Sequence, residues 1–128
     1  MKKLRKIKAI TNEIWKYFSE WIRRKDADSN GMVRCYTCGK VIHWKEANAS
    51  HYLHNKLDFE PANVKPCCVG CNKFKHGNLG AFAERLIFEY GADVVQDLRR
   101  RSNEIWKPSR EELAELLEHW KQEVGKLK

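Results

Sequence analysis

No stretch of this 128-residue chain approaches the roughly 18 consecutive apolar residues that a membrane-crossing helix needs. The opening MKKLRKIKAI runs on into Glu13, Trp15 and Lys16 rather than into the unbroken apolar core of a secretory signal. A soluble, intracellular, cytoplasmic protein with no membrane partner is therefore expected. The three prolines and seven glycines are scattered, so no linker tract divides the chain, and no internal repeat is visible. The length suits one compact unit and falls short of two. Acid is scarce at the N-terminal end, where residues 1–25 hold nine Lys/Arg against two carboxylates, whereas residues 26–77 carry +2 and residues 78–128 carry −1 of the overall +8. A basic segment of this kind draws polyanions through counterion release, but a solvated basic face would look the same, and charge alone does not choose.

The apolar pattern predicts an α+β protein. Leu4, Ile7, Ile10, Ile14, Trp15, Phe18, Trp21 and Ile22 recur at helical spacing, which gives a basic N-terminal helix over residues 1–27. Asp28-Ser-Asn-Gly31 is a turn signal that stops it. Residues 32–78 are rich in strand and turn formers, with helix expected again from Asn72. C-terminal helices fill residues 79–126: one from Leu79 to Tyr90 ended by Gly91, one from Val94 to near Ser102, and a last one opened by a Ser109–Glu112 capping box. The apolar face of that last helix is Leu113, Leu116, Leu117, Trp120 and Val124.

The sharpest chemical signal is Cys35-Tyr-Thr-Cys38 followed by Cys68-Val-Gly-Cys71. Two CxxC pairs supply four thiolates to one tetrahedral Zn²⁺, and with no coordination position left open such an ion holds a fold rather than performing chemistry. Two disulfides would need an oxidising compartment, for which nothing here argues. Cys67 is left over, since pairing it with Cys71 would make a less usual knuckle than Cys68 with Cys71.

Around that frame come His51, then Asn63, then Asn72 directly after the last thiolate, and His76 beyond it. This is the residue order of an HNH nuclease. Phosphodiester hydrolysis needs a base for the attacking water, a group that orients the base, and a hard cation that neutralises the phosphate. His51 on a strand, Asn63 in the following loop and Asn72 at the head of a helix would meet in a ββα hairpin clamped by zinc, with His51, Asn63 and Asn72 as the catalytic set. Many HNH enzymes place an Asp directly before the catalytic His, where this chain has Ser50. The second ligand for a catalytic Mg²⁺ or Mn²⁺ beside Asn72 is then open among Asn48, Glu46 and His76. His76 is favoured, because four residues from Asn72 would put both on one helical face.

The stretches Ala49-Ser-His51-Tyr-Leu, Leu57-Asp-Phe59, Asn63-Val-Lys-Pro-Cys67-Cys-Val-Gly-Cys71-Asn72 and His76-Gly-Asn78 resemble the NinG/Rap family of lambdoid phages over roughly residues 33–100. The resemblance implies a zinc-stapled ββα-metal (HNH, His-Me finger) endonuclease acting on branched DNA during recombination. It implies His51 as the base, the cysteine pairs as zinc ligands, and a phage or prophage gene product in the cytoplasm of a bacterial host. Resolving a four-way junction takes two cuts and is simplest for a dimer, so a homodimer is a possible assembly.

Supporting roles fall to the remaining polar residues. Lys2, Lys3, Arg5, Lys6 and Lys8 of the basic segment, and Lys56, Lys73 and Lys75 near the site, are the expected DNA phosphate contacts, with Lys45 and Lys65 also close in sequence. Arg99, Arg100 and Arg101 suit either phosphate or the C-terminal dipole of their own helix. Trp15, Trp21 and Trp120 read as core. His43 and His119 read as packing or surface residues, and His54 as a loop or phosphate contact. Two other readings stay open: a non-catalytic zinc-finger module that binds DNA, and a general nicking or homing HNH nuclease without branch selectivity.

Overall fold

The computed structural model of the chain describes residues 5–54 and 56–127; Lys2, Lys3 and Leu4 lie outside them. Helix α1 covers Ile7–Arg24 and buries Ile10, Ile14, Phe18 and Ile22, four residues apart, while Ile7 stays exposed. Its end is fixed by Asp28, whose carboxylate accepts the amides of Asn30 and Met32, both at 2.9 Å. Gly31 completes that turn at φ +79, and a Cβ there would stand 2.5 Å from His43 Nε2, so the position has room only for glycine.

Two short antiparallel hairpins follow. Strand β1 (Met32–Arg34) pairs with β2 (Val41–His43), Val33 opposite Ile42, and the first CxxC lies in the connection between them. A 3₁₀ turn at Trp44–Glu46 leads into β3 (Asn48–His51), which pairs with β4 (Val64–Cys67) so that Asn48 faces Cys67 and His51 faces Val64. The protein is thus mixed α+β with two small two-stranded sheets.

After β4 the structure departs from the expected α-helix. Gly70–Phe74 forms one π-helical turn, closed by the Lys75 amide donating to the Gly70 carbonyl at 3.1 Å. His76 and Asn78 then adopt left-handed backbone with φ near +50, which no α-helix continues. The wider turn follows from the knuckle itself: the chain folds about Cys68 and Cys71, with the Cys71 amide pointing at Cys68 Sγ at 3.5 Å. Helix α2 (Leu79–Tyr90) begins only afterwards and stops at Gly91, φ +104; α3 is Val94–Ser102 and α4 is Arg110–Gly125. Both hydrogen bonds of the Ser109–Glu112 capping box are present.

The buried side chains form two clusters. Val33, Ile42, Tyr52, Phe82, Leu86 and Leu98 pack with the buried cysteines, uniting both hairpins with α2 and α3. Ile10, Ile14, Phe18, Ile22, Leu113, Leu117 and Trp120 join α1 to α4, and Val64 of β4 closes that cluster from below. The C-terminal helices therefore do not form one layer: α4 belongs with α1. Phe18 is fully buried and lies edge-on to Trp120 with ring centroids 4.8 Å apart. Phe18→Ala is expected to lower unfolding stability by about 3–5 kcal/mol through cavity formation. Denaturant titration checks this, and metal content should not change.

Candidate metal centre and active site

The sulfurs of Cys35, Cys38, Cys68 and Cys71 all lie within 4.8 Å of one another. Cys38 and Cys68 are 3.8 Å apart. An ion bonded at about 2.3 Å to four sulfurs at tetrahedral corners sets neighbouring sulfurs about 3.8 Å apart, so the four cysteines are positioned to bind a metal ion and their spacing is consistent with a structural zinc. Three of the four are buried and Cys38 is exposed. The side chains of Thr37 and Asn78 approach Cys35 and Cys71 at 3.3 and 3.6 Å, contacts of the sort that orient thiolate ligands.

Cys67 stands outside this set, fully buried on β4. The neighbouring Cys67 thiol favours the thiolate at Cys35 and lowers its pKa, while the same interaction together with burial drives the Cys67 thiol upward. Cys67 is a neutral neighbour that supports a ligand.

His51 closes β3, and its imidazole stacks on Trp15 of α1 with centroids 5.0 Å apart and planes inclined by 18°. Burial lowers its pKa below the usual histidine value, and nearby His54 adds to this, while the charge and backbone carbonyl of Asp58 oppose it. The ring is therefore neutral at pH 7 and able to accept a proton. Nε2 is shut off from solvent, lies 3.5 Å from Asp58 Oδ1 and has no hydrogen-bond partner. The carboxylate on that side favours the tautomer protonated at Nε2, in which Nδ1 is the acceptor.

Behind His51, Ser50 is buried and donates from Oγ to Asn72 Oδ1 at 2.8 Å, bracing β3 against the π-helical turn. Serine thus has a use at the position where many HNH enzymes carry Asp. Asn63, expected in the catalytic set as the group that orients the base, is engaged with the backbone of the loop after β3. Its side chain is completely buried; Oδ1 accepts the Leu53 amide at 2.8 Å, and Nδ2 donates to the carbonyls of Leu53, Lys56 and Leu57 at 3.1, 3.0 and 3.3 Å. Its amide protons are engaged and the side chain is sealed from solvent. It holds the loop that carries Asp58 toward His51. Asn63→Asp would turn the donor into a carboxylate facing three carbonyls, and it is expected to cost at least about 1–3 kcal/mol, read by thermal unfolding at unchanged metal content.

His76 is exposed on a left-handed turn beyond the end of the π-helical turn, so the shared α-helical face that paired it with Asn72 does not exist. Among the described residues, the four cysteines are the only group of three or more His, Cys, Asp or Glu side chains close enough to share an ion.

The cations divide into free and engaged. Lys6, Lys8, Lys56, Lys73 and Lys75 are exposed, while Arg5 is paired with Glu13 at 2.9 Å. Lys65 cannot contact phosphate: it is 4% exposed, its ammonium lies between the Tyr36 and Tyr90 rings and bonds the Tyr90 hydroxyl, and burial lowers its pKa. Arg100 pairs with Asp97 and Glu104, and Arg101 pairs with Glu60 at 2.7 Å, tying α3 to the β3–β4 loop. His43 packs over Gly31, and His119 lies edge-on to Trp120 on the exposed side of α4.

A family model described as Bacteriophage Lambda NinG protein matches residues 1–128. The chain belongs to the NinG family. Among curated relatives, the protein ninG of Escherichia phage lambda is 28% identical over 96 residues, covering 66% of this chain and 47% of the relative. That of Salmonella phage P22 is 29% identical over 91 residues, covering 62% and 44%. The chain thus aligns with about half the length of these relatives. No solved structure matches it. In this NinG-family chain two residues of the site escaped sequence reasoning. Asp58 lies inside the Leu57-Asp-Phe59 stretch, and a carboxylate seven residues after the histidine was the available signal. Trp15 sits on the apolar stripe of α1 and carries no local mark of its contact with His51. No helix of the described residues is long and apolar enough to cross a membrane.

Proposed function

We propose that this chain is an HNH-type endonuclease that hydrolyses DNA phosphodiester bonds, with a zinc-stapled ββα-like centre and branched recombination intermediates as its substrates. The observation that carries the reading is His51: a neutral imidazole stacked on Trp15, its Nε2 turned into the protein toward Asp58 and its Nδ1 left as acceptor. Around it lie Ser50 bound to Asn72 and a loop fixed by Asn63, an expenditure of buried polar groups that a passive binding module does not need.

In the reaction His51 Nδ1 takes a proton from water as its oxygen bonds to phosphorus, and the bond from phosphorus to the leaving strand's oxygen breaks. The negative charge of Asp58 beside Nε2 favours the imidazolium as it forms. Lys73, Lys75 and Lys56 are placed to bind phosphates. A hard divalent cation, Mg²⁺ or Mn²⁺, supplies charge neutralisation at the phosphate when bound. Asn72 would offer it an amide oxygen and His76 an imidazole nitrogen. Zn²⁺ is the metal assigned to the four cysteines.

The scarcity of ion-sized donor groups beyond the cysteines favours a second reading, a DNA-binding zinc module without catalysis. Incubation with supercoiled plasmid and with a synthetic four-way junction, with and without Mg²⁺ or Mn²⁺, separates the two. Metal-dependent nicking or junction cleavage supports the nuclease. Binding without any product in either metal supports the module.

A further inference from the structure

Phe74 is the last residue of the π-helical turn and is 81% exposed. An isolated exposed apolar residue means little by itself. Here the neighbours give it meaning, because residues 72–78 read Asn-Lys-Phe-Lys-His-Gly-Asn, cationic and without a carboxylate, and Lys73, Lys75 and His76 are all exposed. The mount is rigid: Lys75 bonds back to Gly70 and Gly77 back to Cys71, itself one of the four clustered thiols. The tip is also close to the active site. Phe74 is two residues, at most about 7 Å of backbone, from Asn72, and Asn72 is hydrogen-bonded to Ser50, the neighbour of His51.

Other exposed apolar residues lack this setting. Ile105 and Trp106 border a cleft of about 630 Å³ where three carboxylates, Asp58, Glu60 and Glu104, outnumber Lys56 and an Arg101 already paired with Glu60, and Trp106 is edge-on to Phe59. Phe88 carries the Arg85 guanidinium over its ring.

We propose that Phe74 is a base-stacking wedge: its ring takes an unstacked nucleobase at a DNA branch point while Lys73 and Lys75 hold the flanking phosphates, presenting the adjoining strand to His51. The inference rests on the nuclease reading and deepens it by naming what is recognised at the branch. An aromatic ring stacks on any base, so the contact is indifferent to sequence. In continuous duplex every base is already stacked, and inserting a ring costs unstacking; at a branch the stack is already interrupted. Junction preference follows from that difference.

The test measures binding of the full-length, metal-loaded protein to a fluorescent four-way junction and to linear duplex of the same sequence, in Ca²⁺. Phe74→Ala is expected to weaken junction binding by about 10- to 100-fold, the worth of one stacked base, and to change duplex binding little. Phe74→Trp should restore junction binding. Changing Lys73 and Lys75 together to Ala should weaken both substrates and make the salt slope shallower. Because Phe74 is exposed, metal content and melting should match the parent protein, which separates the effect from misfolding. Wild-type junction affinity in Phe74→Ala, or equal losses on junction and duplex, overturns the wedge. Binding is scored without cutting, so failure of the nuclease reading would appear separately, as no product in Mg²⁺ with the Phe74 effect intact.

Discussion

Removal of the metal from the four-cysteine site is expected to unfold the centre of the molecule. The ligands join the β1–β2 connection to the turn after β4, and four of the eleven buried residues in the cluster around them are cysteines. The two hairpins that carry them are only three or four residues per strand, too short to hold together without a staple. Binding energy at a structural zinc site is folding energy, with apparent values of about 10–16 kcal/mol in zinc-finger peptides, comparable with the whole stability of a typical domain, about 5–15 kcal/mol. Without an ion the four sulfurs remain crowded. The Lys40 amide favours a thiolate at Cys38, yet burial and its three thiol neighbours outweigh it and push that group up to about 12. A chelator, or Cys71→Ser, should therefore release one metal per chain and sharply lower the melting midpoint. Cys67→Ser should retain the metal, because Cys67 lies beside the cluster and a serine hydroxyl can still donate to Cys35. Elemental analysis and circular dichroism melts read both effects. An apo form that melts where the metal-loaded form does would remove the staple from the account, and metal loss in Cys67→Ser would show the ligand set to be different.

What was legible in the residues alone was local. The Ser109–Glu112 box, the four-residue spacing of Ile10, Ile14, Phe18 and Ile22, the glycine stop at Gly91 and the two CxxC pairs each encode their structure within a few positions, so the helices and the metal ligands follow from chemistry at short range. What failed was what depends on a contact made elsewhere. Lys65 looks like any basic strand residue until α2 brings Tyr90 against it. Arg101 reads as a free cation until Glu60 arrives from the β3–β4 loop. His76 was placed by counting α-helical turns, and the count failed because the knuckle bends the backbone into a π turn and then a left-handed one. Asn63 shows the same limit in reverse. Its position in the motif was readable, but only the fold reveals that the amide is engaged by three loop carbonyls and one amide and so holds the loop that carries Asp58 beside His51.

His51→Ala is expected to lower DNA cleavage by about 10²–10⁴-fold, the usual loss when a general base is removed, while metal content and DNA binding stay near the parent values. The substitution takes away a half-buried ring beside Trp15, and the four thiolates and the exposed lysines remain untouched. The pH dependence carries the sharper test. Because burial lowers the His51 pKa, the free base persists to lower pH than an ordinary histidine would allow, and the acid limb of the cleavage rate should fall below about pH 6.5. Stability bends the same way. As pH falls through about 6.5 the unfolded chain takes up a proton that folded His51 refuses, so its contribution disfavours the folded state increasingly until the lower folded pKa is passed. Comparing the parent protein with His51→Ala separates the two effects, since the acid limb assigned to His51 should vanish from the residual activity and the histidine part of the acid destabilisation should vanish from the melts. Cleavage by His51→Ala at the parent rate would dismiss His51 as the base. An unchanged acid limb in the residual activity would assign that limb to another group.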